Sequence, residues 1–84
     1  MYKIQLIAVR RFNDAHSRYN AAKNYGYLET EDVPNRNLTR VLLSSFNTKN
    51  EADQILMTMK ENPQFRTAVV VRYENGVRID PWQK

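Results

Sequence analysis

The segment that most constrains the fold is the first, residues 2–9, which read Tyr-Lys-Ile-Gln-Leu-Ile-Ala-Val. Its apolar, partly β-branched composition, interrupted only by Lys3 and Gln5, favours a β-strand. Because side chains alternate between the faces of a strand, we expect two distinct faces. The core face would hold Ile4, Leu6 and Ala8, and the opposite face Gln5, Ile7 and Val9. Edge strands usually carry charge or proline, so a strand this apolar is predicted to be central in its sheet.

The next segment has the spacing of an amphipathic helix. Asn13 and Asp14 are good N-cap residues. Apolar residues then recur at i, i+4 and i+7, at Ala15, Tyr19 and Ala22. The pattern predicts a helix over residues 14–25, ended by Gly26 in a left-handed conformation.

A second helix is predicted after residue 48. Thr48 and Glu51 have the spacing of a capping box, in which the two residues satisfy each other's free backbone N–H groups. Pro63 cannot continue a helix, so this one is expected to end near residue 61 or 62. Its apolar stripe comprises Ala52, Ile55, Leu56 and Met59, of which Ile55 and Leu56 are expected to be buried.

Two strands are predicted between the helices. Residues 27–31 are polar and moderately β-prone, which favours a short edge strand. Residues 38–43 form a stronger strand, with a loop expected over residues 44–47. In the stronger strand, Val41 and Leu43 should face the core, and the opposite face would hold Leu38, Arg40 and Leu42.

The C-terminal part reads as a strand and a hairpin. Residues 67–73 are apolar and β-branched, and Asn75-Gly76 is a type I′ turn signal. The return strand is predicted over residues 77–79, with residues 80–84 as a tail.

The resulting order, β-α-β-β-α-β with a terminal hairpin, is the split βαβ or ferredoxin-like α+β pattern. It predicts a four-stranded antiparallel sheet of order 4-1-3-2, with both helices on one face and a C-terminal β-hairpin extension. The other sheet face would be open. Because that face carries many apolar side chains, we expect it to need a partner or a cover. Its members would be Gln5, Ile7, Val9, Leu38, Arg40, Leu42, Val69, Val71 and Tyr73.

Composition excludes several classes of function. The 84 residues suffice for one domain, residues 1–84, with a core over about residues 2–79. The chain has no cysteine and one histidine, His16, so neither a metal site nor a cofactor is expected. Gly26 and Gly76 are the only glycines, which leaves no glycine-rich phosphate loop. We therefore predict a domain that is not an enzyme.

Charge and hydropathy limit the partners. The net charge of +4 permits an anionic partner but does not require one. No apolar run is long enough to span a membrane, so no membrane contact by this domain is expected. A strand directly after Met1 suggests a domain cut from a longer protein, with any anchor or signal outside this sequence.

The ordered set of motifs resembles the SPOR (sporulation-related repeat) domain, in a variant common in Bacteroidetes-type bacteria. That family typically reads Tyr-x-Val-Gln-x-Gly-Ala-Phe in its first strand, matched here from Tyr2. It has Arg-Val-x-Val-Gly-Pro-Phe in its third strand, matched from Arg40, and Thr/Ser-x-x-Glu-Ala before its second helix, matched from Thr48. The chain has Ile7 in place of the family's first glycine and Ser44-Ser45 in place of its Gly-Pro.

The resemblance implies a non-catalytic module that binds peptidoglycan in the periplasm or cell envelope. Family members recognise glycan strands stripped of stem peptides at the division septum, commonly through the open sheet face. Gln5 and Arg40 match the family's polar positions. We expect the whole open face to bind glycan: Gln5, Ile7, Val9, Leu38, Arg40, Leu42, Val69, Val71 and Tyr73. Other cell-division or envelope proteins are further expected partners.

Two other classes of function remain open. One is a protein–protein adaptor or self-association domain that buries the apolar open face. The other is an RNA-binding module, since RNA-recognition motifs share this element order, but no stacking aromatic ring is expected on the central strands, so no nucleic-acid partner is expected. Tyr73 and Trp82 are the most available aromatic rings, and the tail with Trp82 could cover the open face.

Overall fold

The computed structural model of the chain describes residues 1–79 and shows an α+β fold with one five-stranded antiparallel sheet. The strands are β1 (Tyr2–Val9), β2 (Tyr27–Val33), β3 (Leu38–Phe46), β4 (Val69–Glu74) and β5 (Val77–Ile79). They lie in the order β2-β3-β1-β4-β5, so the predicted order 4-1-3-2 is confirmed and β5 adds a fifth strand beside β4. As predicted, β1 is central. The predicted tail, including Trp82, lies outside the described residues.

The main core lies between the sheet and α1 (Lys49–Met59), the one α-helix within residues 1–79. Ile4 and Leu6 of β1 meet Val41 and Leu43 of β3 there, as the alternation of both strands predicts. From the other side, Ala52 and Met59 of α1 close the core. We call this side of the sheet the helix side.

The prediction of a first α-helix is wrong. Residues 14–25 form two 3₁₀ helices, Ser17–Tyr19 and Ala22–Asn24, instead of one α-helix. Polar side chains compete with helical hydrogen bonding here: the Asn13 side chain accepts from the Ala15 N–H, and the His16 ring accepts from the Arg18 N–H. Tyr19 and Ala22 are nevertheless buried in the main core, so the stripe packs inward without an α-helix.

Gly26 does not adopt the predicted left-handed conformation, since the positive φ angles of the described residues are at other positions. The reason for glycine is close packing: a Cβ added to Gly26 would collide with the carbonyl oxygen of Ser44. At Asn75 and Gly76, in contrast, φ is 51° and 79°, as the predicted type I′ turn requires.

The helix α1 begins as predicted, with the Thr48 hydroxyl accepting from the Glu51 N–H at 3.2 Å. It ends at Met59, slightly earlier than predicted. Ile55 and Leu56, expected to be buried, are only partly buried. No second α-helix flanks α1 within residues 1–79, so the margins of its apolar stripe stay partly open to solvent.

A bulge in β1 reverses the predicted faces of its second half. Gln5 pairs with Leu42 and Ile7 pairs with Val41, so one extra residue is inserted in β1 between these pairs. An inserted residue moves every later side chain to the other face. Ile7 and Val9 consequently pack against the main core, and Ala8 is exposed. The prediction that Ile7 and Val9 lie on the open face, with Ala8 in the core, is therefore wrong.

The strand β3 is longer than predicted. Residues 44–46, expected to begin a loop, continue the strand, and Tyr2 pairs with Phe46. Between the pairs Tyr2–Phe46 and Ile4–Leu43, β3 has one residue more than β1. This extra residue changes which face the following side chains occupy, so Phe46 lies in the main core.

Candidate functional site

The sheet curls away from α1, so its other side is concave. Glu31 of β2 and Arg78 of β5 belong to opposite edges of the sheet, which would lie roughly 19 Å apart in a flat sheet at about 4.8 Å per strand. Their side chains instead form a hydrogen bond of 2.9 Å. We call this side the concave face, and its side chains include Lys3, Gln5, Glu29, Glu31, Leu38, Arg40, Leu42, Val69, Val71, Tyr73 and Arg78.

The carboxylate of Glu31 is the centre of a polar cluster on this face. Its Oε1 accepts from Arg40 Nη1 at 2.7 Å and from Arg78 Nε at 2.9 Å. Its Oε2 accepts from the Tyr73 hydroxyl at 2.9 Å. One carboxylate thus joins side chains from β3, β4 and β5.

These contacts set the ionisation of Glu31. Burial by itself would raise the pKa of the Glu31 carboxyl, but the hydrogen bonds from Arg40 and Tyr73 and the charge of Arg78 outweigh burial. The pKa of Glu31 is therefore held below its usual value, and the carboxylate is charged at neutral pH. Burial and the hydrogen bond to Glu31 raise the pKa of Tyr73 to about 12.

Two further polar contacts extend the cluster across the face. Lys3 Nζ forms an ion pair of 2.6 Å with Glu29 and lies 4.5 Å from the centre of the Tyr73 ring. Arg78 also donates through Nη2 to the Gln5 side-chain oxygen at 2.8 Å. The cations outnumber the carboxylates, since Lys3, Arg40 and Arg78 face only Glu29 and Glu31, and the cluster is net positive.

Beneath the polar cluster lies a small second core of Leu42, Val71 and Tyr73. Tyr73 is only 2 % exposed, and Leu42 and Val71 are also buried. The curl and the polar side chains above provide the cover. The partner or cover that these apolar residues were expected to need is therefore a cover, which the chain itself supplies. Val69 differs from its neighbours, with 47 % of its surface exposed.

A family model for the SPOR domain matches residues 2–72, most of the chain. The chain belongs to the SPOR domain family. SPOR domains are non-catalytic modules that bind peptidoglycan, occur in cell-envelope proteins and are associated with cell division. No curated protein and no solved structure matches the chain.

In this SPOR domain, most of the side chains predicted to bind glycan share the concave face. Seven of them lie there: Gln5, Leu38, Arg40, Leu42, Val69, Val71 and Tyr73. Gln5 and Arg40 are not direct cross-strand partners, since Gln5 pairs with Leu42 and Arg40 with Ala8. Ile7 and Val9 lie on the helix side.

Sequence reasoning missed Lys3, Glu29, Glu31 and Arg78 as members of the site of this SPOR domain. The alternation of β2 could have placed Glu29 and Glu31 on the face of Arg40, because Glu31 pairs directly with Arg40. Nothing local indicates that Arg78 reaches Glu31, since 47 residues separate them in the chain.

Within residues 1–79, no three His, Asp or Glu side chains lie close enough together to hold a metal ion. No helix in that range is both long and apolar enough to cross a membrane. Tyr27 stands exposed at the β2 edge, where it pairs with Ser44 on the concave side.

Proposed function

We propose that this domain binds glycan strands that amidases have stripped of their stem peptides, at the division septum, and that it does so through the concave face. The observation that carries the proposal is the convergence of hydrogen-bond donors from β1, β3 and β5 on one concave surface of a peptidoglycan-binding module. The peptidoglycan layer lies outside the cytoplasmic membrane, so the proposal includes a periplasmic location.

The donors suit a glycan. Its sugars carry hydroxyl and acetamido groups, which accept hydrogen bonds from amides and guanidinium groups. The oxygen of Gln5 accepts from Arg78, which orients the Gln5 amide group on the face. The side chain of Arg40 is 28 % exposed and its guanidinium uses Nη1 for Glu31, so other N–H groups remain for a ligand.

The apolar contacts of the proposed site come from fewer residues than the sequence suggests. Val69 and the exposed ring of Tyr27 offer surface to the C–H faces of sugars. Leu42, Val71 and the ring of Tyr73 are nearly inaccessible and support the polar cluster from beneath, whereas the Tyr73 hydroxyl belongs to the cluster itself. Leu38 is partly exposed beside Arg40 and can contribute to the rim of the site.

Co-sedimentation with purified sacculi tests the proposal. The wild-type domain is expected to pellet with amidase-treated sacculi more strongly than with untreated ones, and to lose binding after muramidase digestion of the glycan. The double variant Gln5→Ala/Arg40→Ala should bind about tenfold or more weakly, since two hydrogen bonds, one of them charged, are removed.

The matched control is Gln64→Ala/Arg66→Ala, which removes an exposed glutamine and arginine near Phe65 of the main core. This control should bind like the wild type, with circular dichroism confirming that both double variants fold. Equal binding by the two double variants would show that the glycan site does not lie on the concave face. Equal pelleting of the wild type with treated and untreated sacculi would contradict the preference for stripped strands.

A further inference from the structure

The polar cluster on the concave face has the composition of a carboxylate-binding site. Arg40, Arg78 and Tyr73 come from three different strands, and each donates to the same carboxylate, that of Glu31. Oε1 of that carboxylate accepts from both guanidinium groups and Oε2 from the Tyr73 hydroxyl, so both oxygens are used, and the two bonds from arginine are charge-assisted. The acceptor is a side chain of the domain itself, carried by the edge strand β2.

The charge of this cluster favours a second anion. Two guanidinium groups share one carboxylate, so Glu31 neutralises only one of the two positive charges of Arg40 and Arg78. Both arginine side chains are partly exposed, at 28 % and 25 %, and a solute can therefore reach them. Each guanidinium carries five N–H donors, more than the contacts with Glu31 and Gln5 use.

The Glu31 side chain can leave its hydrogen-bond donors while the backbone pairing of β2 with β3 stays intact. This side chain is 29 % exposed, and the Glu31 backbone belongs to an edge strand held by β3. A ligand carboxylate would accept hydrogen bonds from the same three donors, so the contacts that Glu31 loses are made again by the ligand and the Glu31 side chain can turn to solvent.

We propose that Arg40, Arg78 and Tyr73 form a carboxylate site that Glu31 occupies in the free domain, and that a carboxylate of the bound glycan replaces Glu31. This inference rests on the proposed function and names the group recognised. Each muramic acid residue carries a lactyl side chain, which is joined to the stem peptide through an amide bond. Hydrolysis of that amide leaves a free lactyl carboxylate, so the anion exists only on stripped strands. Exchange with Glu31 thereby accounts for a preference for stripped glycan.

The first test removes the internal competitor. Glu31→Gln keeps the shape of the side chain but deletes its charge, leaving two guanidinium groups without an anion. We expect Glu31→Gln to bind soluble amidase-treated glycan fragments about tenfold more tightly than the wild type, which corresponds to about 1.4 kcal/mol. The matched control is Glu74→Gln, which removes a carboxylate paired with an arginine, Arg72, away from the concave face, and it should bind like the wild type.

The second test changes the ligand and uses the wild-type domain. Coupling methylamine to the lactyl carboxylates of the same fragments restores a neutral amide at each position. The free-carboxylate fragments are expected to bind at least several-fold more tightly than the amidated ones. Equal affinity for both fragments would overturn the carboxylate site.

The third test reads the exchange directly and does not depend on the folding of a variant. In the free domain the pKa of Glu31 lies below its usual value because Arg40, Tyr73 and Arg78 donate to it. When a ligand carboxylate takes these donors, the pKa of Glu31 should rise toward or above 4.5, its ordinary value. A ¹³C NMR titration of the Glu31 carboxyl, with and without saturating fragments, measures this shift, and an unchanged pKa in the bound state would contradict the exchange.

The outcomes separate the two proposals. If neither the wild type nor Glu31→Gln binds stripped fragments, the proposed function is wrong and the exchange is wrong with it. If the wild type binds them, but Glu31→Gln binds no more tightly and amidation has no effect, the exchange is wrong and glycan binding stands.

Discussion

Tyr73 illustrates how one side chain can serve both packing and polar recognition. Its ring is buried in the second core with Leu42 and Val71, and its hydroxyl donates to Glu31 at 2.9 Å. Lys3 and Arg78 lie over the ring, at 4.5 Å and 5.6 Å from its centre. The phenol is thus held neutral, because a phenolate would be buried beside a carboxylate.

The ionisation of Tyr73 gives the first prediction. Burial, together with donation to Glu31, raises the pKa of Tyr73 from 10.0 to about 12. The ultraviolet difference spectrum between the wild type and Tyr73→Phe isolates the phenolate band of Tyr73. This band should therefore appear at a pH of about 12 and not at pH 10.0. Because the unfolded chain loses this proton first, the free energy of unfolding should fall as pH rises above 10.0. A band that appears near 10.0 while the domain stays folded would show that the hydroxyl is free.

At the scale of the element, the bulge in β1 has the largest effect on the site. It changes a strand whose alternation would expose Ile7 and Val9 into one that packs both against the main core. The concave face is left with the polar Lys3 and Gln5 from the first half of β1. Ile7 occupies the position of the first glycine in the typical SPOR motif, and because it lies on the helix side its bulky side chain does not obstruct the concave face.

The bulge predicts opposite effects for two apolar residues. Ile7→Ala should lower the free energy of unfolding by about 1–2 kcal/mol, less than the about 2–5 kcal/mol of a fully buried site, because Ile7 is only partly buried. Its folded form should bind sacculi like the wild type. Val69→Ala should change stability by about 0.5 kcal/mol or less but weaken binding, since Val69 is 47 % exposed on the concave face.

Urea unfolding and sacculus co-sedimentation measure the two effects for each variant. The reverse pattern, with Ile7→Ala defective in binding and neutral in stability, would mean that β1 runs without the bulge in solution.

At the scale of the whole molecule, ion pairs connect strands that are far apart in the sheet. Glu31 joins the β2 edge to β5, and Lys3 joins β1 to Glu29 of β2. Burial alone would raise the pKa of Glu29, but the hydrogen bond and charge of Lys3 prevail, so its pKa is lowered, as is that of Glu31. The stability of the folded sheet is thus coupled to the ionisation of two carboxylates.

This coupling predicts a loss of stability in acid. A carboxyl whose folded pKa is lowered contributes stability above its unfolded pKa, and that contribution disappears as pH falls through the folded pKa. The free energy of unfolding of the wild type should therefore fall progressively below pH 4.5, the ordinary value for Glu29 and Glu31. In Glu31→Gln the fall should be shallower, because only the contribution of Glu29 remains. Urea unfolding across the acid range measures both slopes, and identical slopes would show that Glu31 is not paired in the folded state.

Local signals in the sequence were sufficient to predict the framework. The order of the four main strands, the central place of β1, the Thr48 cap of α1 and the Asn75-Gly76 turn are all confirmed. Each depends on residues close together in the chain, through side-chain alternation, capping or turn chemistry. The SPOR family was likewise evident from ordered short motifs.

Most of what the sequence did not reveal depends on contacts between distant segments. The 3₁₀ helices that replace the first predicted helix are the exception, because side chains of Asn13 and His16 bond to backbone N–H groups two residues away. The bulge in β1, in contrast, exists through its register with β3. The site itself arises from the curl of the sheet, which brings Glu31 to Arg78 across five strands. Alternation along one strand assigns a side chain to a face, but pairing and curvature determine which charges meet there, because these follow from packing of the whole sheet.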